Sequence, residues 1–237
     1  MWRTNQISNI ASGRIAVIVV AAAALSLGPA TCQAADDKKE TGDKDGWHSL
    51  FDGESLKGWK LADFAGHGDV EVKDGQLLIG VGIDLTGVTL TREFPKMNYE
   101  VTLDAMKVDG SDFFCGLTFP VGDAPCTFIA GGWAGTVVGL SSIDGFDASE
   151  NETTQFMNFE KGRWYRIRLR VTGAKIQTWI DDKKIVDFET KDRKLSIRFE
   201  VEPNQPFGIA AWQTTSALKN IKYRLLQNEK PVKESAD

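Results

Sequence analysis

Between Gly139 and Thr154 the chain reads GLSSIDGFDASENETT, and four carboxylates fall close together there: Asp144, Asp147, Glu150 and Glu152. Oxygen ligands crowded this tightly suit Ca2+ or another divalent cation, a hard ion held by carboxylates and carbonyls. The spacing follows no EF-hand pattern, and a solvated acidic loop is the other reading. Asp144 from this loop and Glu200 further on are the candidate acid and base, with Asp112 as a polar anchor. Acid–base work needs such groups within hydrogen-bond reach of the proton they move.

Aromatic residues supply the second signal. Trp133 stands in Gly131-Gly132-Trp133-Ala134-Gly135, flanked by glycines that leave its ring open. Trp179 alternates with Lys175 and Gln177 on the polar side of its run, and Trp212 precedes Gln213. An exposed indole is an apolar platform for a sugar ring, while neighbouring polar groups such as Arg198 and Gln213 read its hydroxyls. A core position is the alternative for all three tryptophans, and for Trp212 it is the preferred one. Only two histidines exist, His48 and His67. A three-histidine metal site is therefore excluded by count. His48 reads as structural. His67, in a glycine-flanked loop, reads as a bystander or, less simply, a base.

The elements that must position these groups are strands. Side chains alternate in Tyr99–Lys107, in Arg163–Val171 and in Leu195–Val201, the signature of half-buried β-structure. Asp181-Asp182 joins Lys175–Ile180 to Lys184–Phe188 as a hairpin. No segment beyond the N-terminal apolar run keeps a helical period over three turns. Short, regularly spaced strands predict an all-β fold, a two-sheet antiparallel jelly-roll sandwich, as a single domain over residues 47–227. Residues 35–46 and 228–237 are polar and read as a flexible linker and a tail.

Residues 1–34 read as a signal peptide. Arg3 and Arg14 precede a thirteen-residue apolar run, Ile15 to Leu27, which Gly28 and Pro29 break. The run is shorter than the ~20 residues a spanning helix needs. Cys32-Gln33-Ala34 fits a small-x-Ala cleavage site, so a periplasmic or secreted chain of 203 residues is expected. Acylation at Cys32 is the rival reading, which Thr31 and Pro29 suit poorly. Cleavage would shift the net charge from −5 to −7. That balance argues against nucleic acid or an anionic membrane as partner. Two cysteines would remain, Cys115 and Cys126: a disulfide closing a short loop, or two buried thiols on neighbouring strands.

The segment Trp47-His48-Ser49-Leu50-Phe51-Asp52-Gly53-Glu54-Ser55-Leu56-Lys57-Gly58-Trp59 is an apolar clamp around an Asp-Gly turn. It resembles the opening of the 3-keto-disaccharide hydrolase (3-keto-glucoside lyase/hydratase) family. Gly162–Leu169, Thr178–Val186, and Phe207–Ala210 followed by Ala217–Arg224 are similar to later laminin-G-type and family motifs, in the same order. The resemblance implies a concanavalin A-like or laminin-G-like sandwich acting on carbohydrate. It also implies a substrate oxidised at C3, proton abstraction at C2, elimination at C1 and rehydration. Where the family carries an N-S-G-i strand, this chain reads Gly110-Ser111-Asp112-Phe113-Phe114-Cys115-Gly116. A non-catalytic glycan- or protein-binding module is the alternative.

Overall fold

The computed structural model describes residues 43–227. The expected signal peptide, Cys32, most of the linker and the tail lie outside them. Residues 43–46 are not bare linker. The Asp43 carboxylate accepts the backbone N–H groups of Asp45 and Trp47 and closes a turn.

The described residues form β1 (His48–Ser49), β2 (Trp59–Leu61), β3 (Val70–Lys73), β4 (Gln76–Ile79) and β5 (Leu85–Leu90). Next come β6 (Tyr99–Gly110), β7 (Cys115–Val121), β8 (Ala124–Gly131), β9 (Val137–Ser141) and β10 (Gln155–Phe156). The last five are β11 (Trp164–Val171), β12 (Lys175–Ile180), β13 (Lys183–Glu189), β14 (Gly208–Trp212) and β15 (Thr214–Leu225). An eight-stranded sheet runs β13-β12-β11-β6-β15-β4-β3, with β1 paired to β15. A seven-stranded sheet runs β10-β9-β8-β7-β14-β5-β2. The pairs within both sheets are antiparallel. This is the predicted sandwich.

Alternation decides which residues enter the space between the sheets. Tyr99, Val101, Leu103 and Ala105 of β6 face inward with Tyr165, Ile167, Leu169 and Val171 of β11. Leu117, Phe119, Phe128 and Leu140 meet them from the seven-stranded sheet. Apolar area removed from water at roughly 25 cal/mol per Å² drives this closure. The opening clamp behaves as expected: Leu50, Phe51 and Trp59 are buried, and the Trp59 indole N–H donates to the Leu50 carbonyl at 2.7 Å. Gly53, at φ 79°, turns the chain, while the Asp52 carboxylate accepts the Glu54 and Ser55 amides.

Two expectations fail here. Cys115 and Cys126 are buried thiols, not a disulfide. They sit on adjacent strands, but Cys115 pairs with Ala130 and Cys126 with Phe119. Four residues of offset is roughly 13 Å along a strand, against the 4–7 Å Cα separation a disulfide tolerates. Burial pushes both thiols up to about 12. The second failure is Leu195–Val201, which is not a strand. Its backbone pairs only briefly, Ser196 with Ser142 and Lys194 with Asp144, before a 3-10 helix begins at Phe199 and runs to Asn204. The alternation was real in one sense, since Ile197 and Val201 face the sheet they cross.

Candidate functional site

The outer face of the seven-stranded sheet carries a second, smaller apolar layer. Thr127 and Ile129 alternate with the inward Cys126, Phe128 and Ala130 of β8, and Trp212 follows the inward Ala211 of β14. Small residues meet in register at the centre, where Ala210 lies between Gly87 and Gly116. A Cβ on Gly116 would come within 2.9 Å of the Phe113 ring. Bare backbone at that position is what lets Phe113 lie against the sheet.

Over this layer opens a cavity of about 260 Å³. Ile129, Phe113 and Val201 supply apolar lining, Trp133 and Trp212 supply indoles, and Asp112, Ser141, Arg198 and Glu200 supply polar groups. That mixture, mostly apolar with a few convergent polar groups, is typical of small-molecule pockets, and the volume lies near their lower end.

Each polar group is positioned by its neighbours. The Arg198 guanidinium is the hub. Its Nε donates to Glu200 Oε2 at 3.2 Å and its Nη2 to Oε1 at 2.7 Å, while Nη1 donates to the Asp147 carboxylate. Two parallel N–H···O bonds from one guanidinium fix orientation as well as charge. Arg198 holds the Glu200 carboxyl below its usual range, so Glu200 is ionised at neutral pH. The other Asp147 oxygen accepts the hydroxyls of Ser141 at 3.3 Å and Ser142 at 3.1 Å. Asp147 thus ties the end of β9 to the Arg198 segment.

Trp133 is held differently. Gly131, Trp133, Ala134 and Gly135 all have positive φ, at 84°, 47°, 65° and 99°. Left-handed backbone at two consecutive non-glycine residues costs on the order of 1–3 kcal/mol each and persists only where its surroundings enforce it. Asp112 does so: its Oδ2 accepts the Ala134 amide at 2.9 Å and its Oδ1 the Phe113 amide at 2.8 Å. Trp133 remains 38% exposed at the cavity edge. Beneath the turn lies Lys107, a buried lysine whose pKa is lowered by desolvation.

Of the sequence-predicted residues, the structure brings Asp112, Trp133, Arg198 and Glu200 together in this cavity. It does not bring Asp144 there. Asp144 accepts from Arg193 Nε at 2.7 Å and from the Lys194 amide at 2.8 Å, which lowers its pKa, the amide being the larger cause. Glu152 is bound by the same guanidinium, which lowers its pKa too. The four loop carboxylates therefore do not form a metal site: Asp144 and Glu152 go to Arg193, Asp147 goes to Arg198, and Glu150 stands apart. Among the described residues no three His, Cys, Asp or Glu side chains converge for a metal ion. Two arginines remove the repulsion that a cation was expected to relieve.

Trp179 and Gln213 also lie away from the cavity. Trp179 is on the outer face of the other sheet, under the Arg168 guanidinium at 3.8 Å. Gln213 bends away at φ 41° and donates to the Ile83 carbonyl at 3.1 Å. His67 is exposed, its ring bonded to the Gly68 carbonyl, and His48 stacks on Tyr223 at 5.2 Å. Trp212, preferred as a core residue, lines the cavity instead, beside Phe113 at 6.4 Å. Thr127, Ile129 and Ser141 were missed. Their outward parity on β8 and β9 was the available signal, but it could not say which outer face is covered by a crossing segment. Asn151 proves structural, donating to the Leu140 and Asp147 carbonyls at 2.7 and 2.8 Å and accepting from Thr153.

The sequence profile of a family described as a 3-keto-alpha-glucoside-1,2-lyase-like domain matches residues 46–224. No curated protein sequence matches the chain. The Crh5 transglycosylase solved in complex with NAG superposes with a TM-score of 0.52 at 11% identity, over 80% of this chain and 87% of that one. A Parabacteroides distasonis protein named as a candidate glycosyl hydrolase gives 0.50 at 14% identity, over 77% and 95%. A Bacillus subtilis protein described as having a galectin-like fold gives 0.49 at 11%, over 73% and 92%. For the first two, at these identities, the likeness is one of fold. Among the described residues no helix is long and apolar enough to cross a membrane.

Proposed function

The chain belongs to the 3-keto-alpha-glucoside-1,2-lyase-like domain family, and from that premise we propose that it cleaves glycosides already oxidised to a ketone at C3. The observation that carries this is an ionised Glu200 and the Arg198 guanidinium facing one cavity with the indoles of Trp133 and Trp212. A C3 ketone acidifies the C2 proton. Glu200 takes that proton, the electron pair moves into an enolate, and the fixed positive charge of Arg198 offsets the new oxyanion. As the enolate collapses, a C1–C2 double bond forms and the C1–O glycosidic bond breaks. Glu200 then returns its proton to the leaving oxygen. Water adds across the double bond, with the hydroxyl going to C1. The indoles seat the ring, and the N-terminal residues 1–34 direct the work outside the cytoplasm.

One observation favours a second reading, binding without turnover. Both Glu200 oxygens are already held by Arg198, and a carboxylate stabilised in its charged form is a weaker base. The deciding experiment incubates the purified chain and Glu200→Gln with a 3-keto-disaccharide and with the unoxidised parent. Wild type should cleave only the oxidised sugar, and the variant should be about 10²–10⁴-fold slower. Retention of the sugar without cleavage would leave only the binding reading.

A further inference from the structure

On the outer face of the eight-stranded sheet, register places side chains in rows that run across the strands. One row is Lys222, Thr102, Arg168, Trp179 and Lys184, contributed by β15, β6, β11, β12 and β13 in turn. It contains three cations, an indole, and no carboxylate. At about 4.8 Å between strands, it extends roughly 19 Å. The row beside it, Arg224, Glu100, Arg170, Gln177 and Asp187, balances two arginines with two acids. On the other side Lys219, Asp104, Arg166 and Asp181 balance two cations with two acids.

Two of the three cations in the row, Arg168 and Lys184, are held in place. The Arg168 guanidinium lies 3.8 Å from the Trp179 ring centre and touches Glu100 at 3.4 Å, and the Lys219 ammonium lies 4.0 Å from Trp164. Lys184 is fixed by Asp187 at 2.9 Å. Indole faces hold these groups flat to the sheet by cation–π attraction, which spares much of the side-chain ordering a ligand would otherwise impose. A cleft of about 430 Å³ at the edge of this array is charge-balanced, with Arg163, Arg166 and Lys219 set against Asp104, Asp181 and Asp182 beside Trp164. The net charge of −5 is an average over the chain, and the Lys222–Lys184 row departs from it in sign.

We propose that this face is a second carbohydrate surface, one that binds a linear acidic polysaccharide across the Lys222–Lys184 row. An extended polymer with one carboxylate per sugar matches a straight row of cations, and its ring faces match the indole edge. A membrane would favour protruding cations flanked by apolar residues able to insert; here the guanidinium lies flat on an indole. The site shares no residue with the Arg198 cavity, so failure of cleavage there leaves this inference intact.

The test titrates the purified chain with polygalacturonate and with dextran, alongside Lys222→Glu and Arg168→Gln. Binding to the uronate polymer and not to dextran is expected, weakened about tenfold in each variant. Cleavage of 3-keto-disaccharide should be unchanged. Lys222→Glu keeps the test sound if Arg168→Gln disturbs the sheet, since the Lys222 head is not part of the core. No binding, or binding by both variants as tight as by wild type, overturns the proposal. So does equally tight binding to duplex DNA or to phosphatidylglycerol vesicles with the same dependence on Lys222, which would mean charge attraction alone.

Discussion

Arg198 has three donors committed to two carboxylates, so its removal has a consequence that can be read in pH. Glu200 now titrates below the ordinary glutamate value because Arg198 stabilises its charged form. Activity that needs ionised Glu200 should persist from neutral pH down to that lowered value. In Arg198→Gln the Glu200 pKa rises, and the acid limb of kcat/KM should move to higher pH, alongside a loss of rate. A limb that stays put would show that another group titrates there. The same residue scale marks what sequence could not convey. Arg198 and Glu200 were legible as a polar pair. That Arg193 and Arg198 would consume the loop carboxylates was not, because those partners stand 41 to 51 residues apart in the chain.

At the scale of elements, the Trp133 turn depends on Asp112. Its Oδ2 accepts the Ala134 amide inside the pair of left-handed residues and its Oδ1 accepts the Phe113 amide, while the Thr136 amide closes the turn by donating to the Gly132 carbonyl. Asp112→Ala should destabilise the chain by about 1–3 kcal/mol and loosen sugar binding through Trp133. Thermal unfolding and Trp fluorescence together check it, and a stable variant with an unchanged indole environment would refute the role. The strands and the Asp181-Asp182 hairpin were legible because alternation and turn chemistry are local. The segment Leu195–Val201 was misread for the same reason. It alternates like a strand, but Pro203 and the lack of a partner beyond Ser142 and Asp144 stop the ladder. Burial of Ile197 and Val201 against an outer face is a tertiary fact that a local pattern does not encode.

For the whole molecule, the paired acids predict how stability responds to acid. Asp144, Glu152 and Glu200 all have lowered folded-state pKa values, through the Lys194 amide, Arg193 and Arg198 respectively. A carboxylate depressed on folding contributes stability above its unfolded value, about 4, and loses it as pH falls through the lowered value. The melting temperature should therefore hold from neutrality to about pH 5 and then drop. The decline should soften in Arg193→Gln, which starts lower and has less to lose. Melting curves across that range decide it, and an equally steep decline in the variant would point to other groups.

The four-residue stagger between Cys115 and Cys126 has a consequence for making the protein. With no covalent cross-link among the described residues, their native structure depends on no oxidant, no disulfide isomerase and no correct choice among cysteine pairings. Residues 43–227 can be produced in a reducing cytosol, and refolded with excess reductant, and arrive at the same state as a chain matured in an oxidising compartment.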